Sequence, residues 1–299
     1  MKTRHIPVML ALLALLALSC ARTPGPASGG ADPADTPASG AGSAPTETPQ
    51  PAAAGRPTVS PGEIRVRGAD GMEMVQIEEG AFLMGDDGAA YQAEKPEHMV
   101  TLDAYWIDRY EVTNAQYRLC VEAGACGAPK AWGDNNLNGD RQPALVPWED
   151  AQAYCAWAGA RLPTEAEWEK AARGPDGRVW TWGNEFEEDR ANLSGDGDGY
   201  EFVAPVGSFE GDASPYGVMD TAGNAAEWVA DWWSIEYYAR SPASNPTGPG
   251  SGDQKVQRGS VSHAAGGPSK CRTTCRFAAH PTWPQGVRCA SAEPPGDPD

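Results

Sequence analysis

The sequence predicts an α+β domain that is rich in loops and has little regular secondary structure. Three observations predict it. Short apolar segments between residues 74 and 107 read as strands, and three segments between 113 and 174, two of them with capping boxes, read as helices. Beyond Gly174 the chain is rich in Gly, Asp, Asn, Trp and Pro and has few periodic runs. Every aromatic residue lies at or after Phe82, so the preceding segment has no aromatic with which to build a core.

The 299 residues suggest one or two domains. Lys+Arg 23 against Asp+Glu 41 gives a net charge of −18. That balance excludes nucleic acid as a partner, because phosphate binding needs a basic face. It also excludes charge-driven binding to anionic lipid. Gly 35 and Pro 27 together make about a fifth of the chain, which fits a loop-rich fold with a low-complexity segment.

The first element is an export signal over residues 1–20. Lys2, Arg4 and His5 precede an apolar run at 8–18, too short to span a bilayer. The run ends in Leu18-Ser19-Cys20, which resembles a lipoprotein signal. Cys20 is then the lipidation site and mature N-terminus; ordinary secretion is the alternative. Several acyl chains anchor a protein stably, so the expected location is the bacterial cell envelope, with the outer membrane as the default. Residues 21–70 read as a tether, since eight prolines fall between 21 and 60. Such a composition cannot bury enough apolar area to offset its ordering entropy. The folded domain is expected over 71–290, and 291–299 reads as a tail.

Within the domain, residues 74–77 and 81–84 read as two strands around Glu78-Glu79-Gly80, with 99–102 and 105–107 as a second pair. Thr113 and Gln116 form a capping box, Tyr117, Leu119 and Val121 supply apolar surface, and Gly124 stops the first helix. A second helix covers Trp148 to Trp157. A third follows Thr164, with Glu167 completing its capping box and Trp168, Ala171 and Ala172 on one face. There is no internal repeat. Long ordered loops need metals, disulfides or buried aromatics to hold them.

The segments MVQIEEGAFLMG, EKPEHMVTL, DRYEVTNAQY, VPWEDAQAYCAWAGARLPTEAEWEKAARG, WTWGN, APVGSF, YGVMDTAGNAAEWVADWW, VQRGS and GVRCA occur in that order. In this the chain resembles the formylglycine-generating enzyme (sulfatase-modifying factor) family over roughly residues 72–290. The resemblance implies a formylglycine-generating-enzyme-type, C-type-lectin-like α+β fold. Catalytic members of that family oxidise the cysteine of a Cys-x-Pro-x-Arg sulfatase peptide to formylglycine, using O₂ and Cu(I). Two cysteines five positions apart, after an RGGS-like strand, hold the copper; soft thiolates select Cu(I).

This chain departs from that pattern. Arg258-Gly259-Ser260 is followed by Val261, Ser262, His263 and Ala264, none of them cysteine. Depending on gaps, the two ligand positions fall near His263 and Pro268, or the second falls near Cys271. Cys271 and Cys275 are four apart, one short of the family spacing, and a one-residue slip in an extended segment turns a side chain to the other face. They are therefore weak candidates for catalysis. The reading is a membrane-tethered, non-catalytic, calcium-stabilised binding or scaffold module. The alternative is a copper-dependent oxidase acting on exported sulfatases. Partners of the first reading are an exported protein, peptide or glycan; Trp283, in HPTWPQG, is the aromatic most suited to face one.

With Cys20 set aside, six cysteines remain, an even number in an exported chain. The resemblance implies a Cys155–Cys289 disulfide. Cys120 and Cys126 flank Gly124 and are placed to clip the helix end. Cys271 with Cys275 is left as a local bridge or, in the other reading, a redox pair. His5, His98, His263 and His280 lack the spacing of a zinc site. Calcium is the better metal, because Asn192, Asp196 and Asp198 cluster among glycines and oxygen ligands on a flexible turn suit Ca²⁺. The resemblance maps one structural calcium onto Asn192, Leu193, Asp198 and Tyr200. It maps a second onto Asn224, Ala225 and Glu227, beside Ala226 where the family usually has Trp.

Overall fold

Strand β1 (Ile64–Val66) pairs antiparallel with β2 (Glu73–Ile77). Farther along, β3 (Gly80–Met84) pairs with β4 (His98–Leu102), and β5 (Tyr105–Asp108) returns to β2. The computed structural model describes residues 60–193, 197–259 and 272–296, all within one compact unit. Cys20, Asp196, Cys271 and most of the segment expected to be a tether lie outside the described residues. Among the described residues no helix is long and apolar enough to cross a membrane.

Sequence neighbours do not pair at the Glu78-Glu79-Gly80 corner. The chain leaves one sheet after Ile77 and enters another at Gly80. Lys170 donates to the carbonyls of Glu78 at 2.7 Å and Gly80 at 3.0 Å, satisfying acceptors exposed where the ladder breaks. Burial lowers the Lys170 ammonium to about 8.

The domain begins before residue 71. The Gly62 amide donates to the Tyr216 carbonyl at 3.1 Å, and β1 lies inside the stretch expected to be tether. Hydropathy gives no signal there because Ile64, Arg65 and Val66 are all exposed; this strand is held by its main chain. At the other end β9 (Ala290–Ser291) pairs with β5 and closes the sheet order β1-β2-β5-β9, so Ser291 belongs to the fold rather than to a tail.

The helices follow their caps. In α1 (Asn114–Glu122) and α3 (Glu165–Arg173) the capping boxes of Thr113 with Gln116 and Thr164 with Glu167 are both formed. Between them, α2 (Trp148–Trp157) starts after Pro147 without a side-chain cap. The structure extends the expectation for α3, which has no solvent face: all nine residues are buried. A third sheet, β6 (Glu227–Trp232), β7 (Lys255–Arg258) and β8 (Arg276–Ala279), covers it in the order β6-β7-β8. Trp168 and Trp228 are fully buried, while Trp148 and Trp232 stack with the Lys255 ammonium 3.7 Å from each ring centroid. His98 packs edge-on against Tyr238.

Cys155 is bonded to Cys289, joining α2 to the start of β9 across 134 residues; Cys120 is bonded to Cys126 across 6 residues, beyond the end of α1. Loop entropy assigns the first bond about 5 kcal/mol and the second about 2 kcal/mol. Denaturant unfolding of C155A/C289A and C120A/C126A should reproduce that order. Equal losses would show that native strain or denatured-state structure outweighs chain entropy.

Candidate functional site

The chain at Asn192 is locked against a second segment at Gly223-Asn224. A Cβ on Gly223 would lie 2.2 Å from the Asn192 carbonyl oxygen, so only glycine permits the approach. The Asn224 amide donates to that carbonyl at 2.9 Å, with Asn224 in the left-handed region at φ 66. Asn192 is buried, and its Nδ2 donates to the Phe202 carbonyl and to Asn224 Oδ1, each at 3.0 Å. Its Oδ1 is buried without a hydrogen-bond partner among the described residues. A buried acceptor left in this way needs an explanation, and an absent ion is one.

The other three residues meet in one turn. Asp198 Oδ2 accepts from the Leu193 amide and Oδ1 from the Tyr200 amide, both at 3.0 Å. Each carboxylate oxygen keeps accepting capacity beyond those bonds. The Asn192 side-chain oxygen is thus orphaned next to a turn that Asp198 holds through the Leu193 and Tyr200 amides, and an orphaned amide oxygen near a carboxylate is compatible with a hard cation such as Ca²⁺. Among the described residues no group of three or more His, Cys, Asp or Glu side chains is placed to hold a metal. A cation here would depend on amide and main-chain oxygens beside the single carboxylate.

Asn224, Ala225 and Glu227 do not form a second cradle. Asn224 Oδ1 already accepts from Asn192 Nδ2 and from the Ala204 amide at 2.8 Å. Glu227 is fully buried and faces Arg288, which reaches Oε2 at 2.9 Å and Oε1 at 2.7 Å; Trp168 Nε1 donates to Oε2 at 2.7 Å. Glu227 is thus already neutralised by a guanidinium. Ala225 instead donates its amide to Glu111 Oε1 at 2.9 Å. Burial, then Asp220 and Glu227, holds the Glu111 carboxyl well above the usual range. Glu111 and Arg288 lie in the quoted motifs DRYEVTN and GVRCA; no chemical motif marks them, and their roles follow from burial alone.

Cys275 sits at the edge of β8, fully buried. Arg272 donates to its sulfur, and burial, with Glu94 next, pushes the thiol up to about 11. Glu94 accepts from Arg272 Nη2 at 2.8 and 2.9 Å and from the Thr274 hydroxyl at 2.6 Å, while Arg272 Nη1 reaches Asp86 at 3.1 Å. A thiol with that pKa holds almost no thiolate at neutral pH, and Cu(I) is bound by thiolate. Without a metal, Cys275 is therefore held as a buried neutral thiol beside Arg272. The proposed Cys271–Cys275 pairing lies outside the described residues at Cys271.

Residues 62–293 match the family described as "Sulfatase-modifying factor enzyme 1-like domain". The chain is 32% identical over 246 residues to the formylglycine-generating enzyme of Bos taurus, covering 62% of this chain and 65% of that protein, so it spans about two thirds of that relative's length. It is 33% identical over 288 residues to a Bos taurus protein named inactive C-alpha-formylglycine-generating enzyme 2, covering 76% of this chain and 91% of that one. Among solved structures it is similar to PvdO from Pseudomonas aeruginosa, with TM-score 0.67 and 29% identity over 78% of this chain and 99% of that one.

Asp231 on β6 faces the start of α3. Its Oδ2 accepts from the Glu165 amide at 2.8 Å. Burial, with Glu165 next, pushes its carboxyl up to about 8. The folded state therefore binds this proton more tightly than the unfolded chain. The resulting stability is fully present below pH ~4 and is lost as pH rises through about 8. Asp231→Asn keeps an acceptor for Glu165 and removes the charge. Its Tm should exceed that of the wild type at pH 8.5 by several degrees more than at pH 5; a pH-independent difference would refute the assignment.

Proposed function

The chain belongs to the sulfatase-modifying factor family, and on that premise we propose that it is a non-catalytic member: a calcium-stabilised binding or scaffold module, tethered to a membrane through Cys20. One observation carries the non-catalytic reading. The positions after Arg258-Gly259-Ser260 hold no cysteine, and Cys275 is a buried, high-pKa thiol bound by an arginine. The similarity to a relative named inactive supports the same reading.

The orphaned Asn192 oxygen beside Asp198 supports the calcium. Such an ion would replace secondary structure in a stretch that has little, and it has no role in a reaction. The net charge of −18 supports attachment through a lipid rather than through a basic surface. The ligand would be an exported protein, peptide or glycan. Trp283, 55% exposed at the tip of the 280–285 turn, is the aromatic that offers it most area. Copper enters only in the alternative, the oxidase.

The test is to incubate the full-length chain with Cu(I), O₂ and a Cys-x-Pro-x-Arg peptide and to read the peptide by mass spectrometry. The expected result is no formylglycine above the copper-only control, with an active family enzyme converting the peptide in parallel. Conversion by this chain that is lost in Cys275→Ser would overturn the proposal and make the oxidase the function.

A further inference from the structure

We propose that the cleft between residues 102–105, the segment before α3 and residues 245–247 binds a basic side chain, lysine or arginine, of an exported protein. The site lies apart from Trp283 and narrows the ligand of the module reading above, on which the exported partner rests.

The cleft encloses about 440 Å³, at the small end of ligand sites. Its lining is apolar at Leu102, Tyr105, Leu162, Ala230 and Pro246. The Tyr105 hydroxyl is already committed, donating to the Glu167 carbonyl at 2.6 Å, so its ring adds apolar surface. The charged side chains of the lining are Arg161, Glu167 and Asp103. The first two cancel, because Arg161 forks onto Glu167, Nη1 to Oε2 at 2.7 Å and Nη2 to Oε1 at 2.6 Å.

Asp103 is different. Among the described residues no Lys, Arg or His forms an ion pair with it. Its carboxylate is nevertheless fixed in place. The Asp103 amide donates to Asn245 Oδ1, and Asn245 Nδ2 donates back to Asp103 Oδ2, both at 3.0 Å. Asn245 sits in the left-handed region at φ 43, and its own amide donates to the Thr101 carbonyl at 3.0 Å. A non-glycine residue keeps such a conformation only where its surroundings over-determine it. Asp103 Oδ1 is left with its accepting capacity.

An apolar trough that ends at an unpaired, positioned carboxylate matches a side chain with an alkyl stem and a cationic head. The net charge of −18 draws basic partners to the surface. An acidic ligand is opposed by Asp103 and finds Arg161 already neutralised.

The test titrates the isotope-labelled full-length chain with acetylated, amidated tripeptides Gly-X-Gly and follows the amide resonances by NMR. X is lysine, norleucine (the stem without the charge) or glutamate. The lysine peptide should shift the amides of Asp103 and Ala104 and the side-chain amide of Asn245. It should bind about fivefold tighter than the norleucine peptide, the upper end for an exposed ion pair. Added salt should narrow that gap. Asp103→Asn keeps an acceptor for Asn245 and removes the charge, so lysine and norleucine peptides should bind it equally. Ala104→Phe changes an exposed residue of the lining and fills the cleft. It should abolish binding of both peptides with the circular dichroism unchanged.

Equal binding of the lysine and norleucine peptides by the wild type would overturn the proposal. So would tighter binding of the glutamate peptide, a lysine preference that survives Asp103→Asn, or binding undiminished in Ala104→Phe. Movement of the same amides on dilution of the chain alone would overturn it by seating a second copy in the cleft. Absence of peptide binding by the folded wild type sinks the cleft alone. Formylglycine formation in the copper assay sinks the module reading, and neither result entails the other.

Discussion

Helix α3 is buried on every side, so each of its charged side chains must find a partner inside the protein. Its sequence, EAEWEKAAR, is mostly charged. Glu165 takes Arg276 and Arg258; Glu169 takes Arg258 and the Gly85 amide; Arg173 donates to the Leu83 and Gly85 carbonyls; Lys170 holds the corner between β2 and β3. Removing one member of such a pair leaves an uncompensated buried charge and typically costs about 3–5 kcal/mol. The helix thus orients the β3–β4 and β6–β8 sheets by geometry as well as by packing.

The same constraint accounts for a fold with so few long elements. Among the described residues between Gly174 and β6 there is no strand, yet Asp212, Asp220 and Asn224 are all buried. They are held by directed bonds: Thr181 to Asp212, the Gly207 amide to Asp220, Asn224 to Glu111. Burial raises the Asp212 and Asp220 carboxyls, the second to about 6, with Arg288 facing the group. Polar groups here take over the work that a ladder of backbone bonds performs elsewhere. An excess of buried acceptors next to an unpartnered asparagine oxygen is a setting in which a bound cation would relieve an existing deficit.

The parts of this architecture that are legible in sequence are those governed by local rules. Thr113 with Gln116 and Thr164 with Glu167 announce two helices because capping is a contact between near neighbours. The early strands show in their apolar runs, but their pairing does not. The partner of β2 is β5, a choice made by a corner that Lys170 stabilises from far along the chain. Strand β1 is illegible because it buries no side chain. At the site, Asn192 and Asp198 stand out by residue type, whereas Glu111 and Arg288 look like ordinary surface charges until their burial is known. Glu227 is misleading in the same way: it appears available in sequence, and its guanidinium partner lies 61 residues away.

These dependencies bear on why a member of this family can lose its reaction and keep its fold. The ion pairs that orient α3 run through Arg258 and Arg276, which flank the stretch where the family's copper cysteines would lie. None of them uses a thiol. Cys275 lies between the two arginines in sequence and is packed as a small buried group against Glu94 and Arg272. Loss of the Cys275 thiol alone would therefore leave the ion pairs of Arg258 and Arg276 in place. The disulfide that ties α2 to β9 is likewise outside that segment. The ion pairs of Arg258 and Arg276 and the Cys155–Cys289 bond hold the fold without drawing on a free thiol, so a scaffold selected only for binding would keep those four residues.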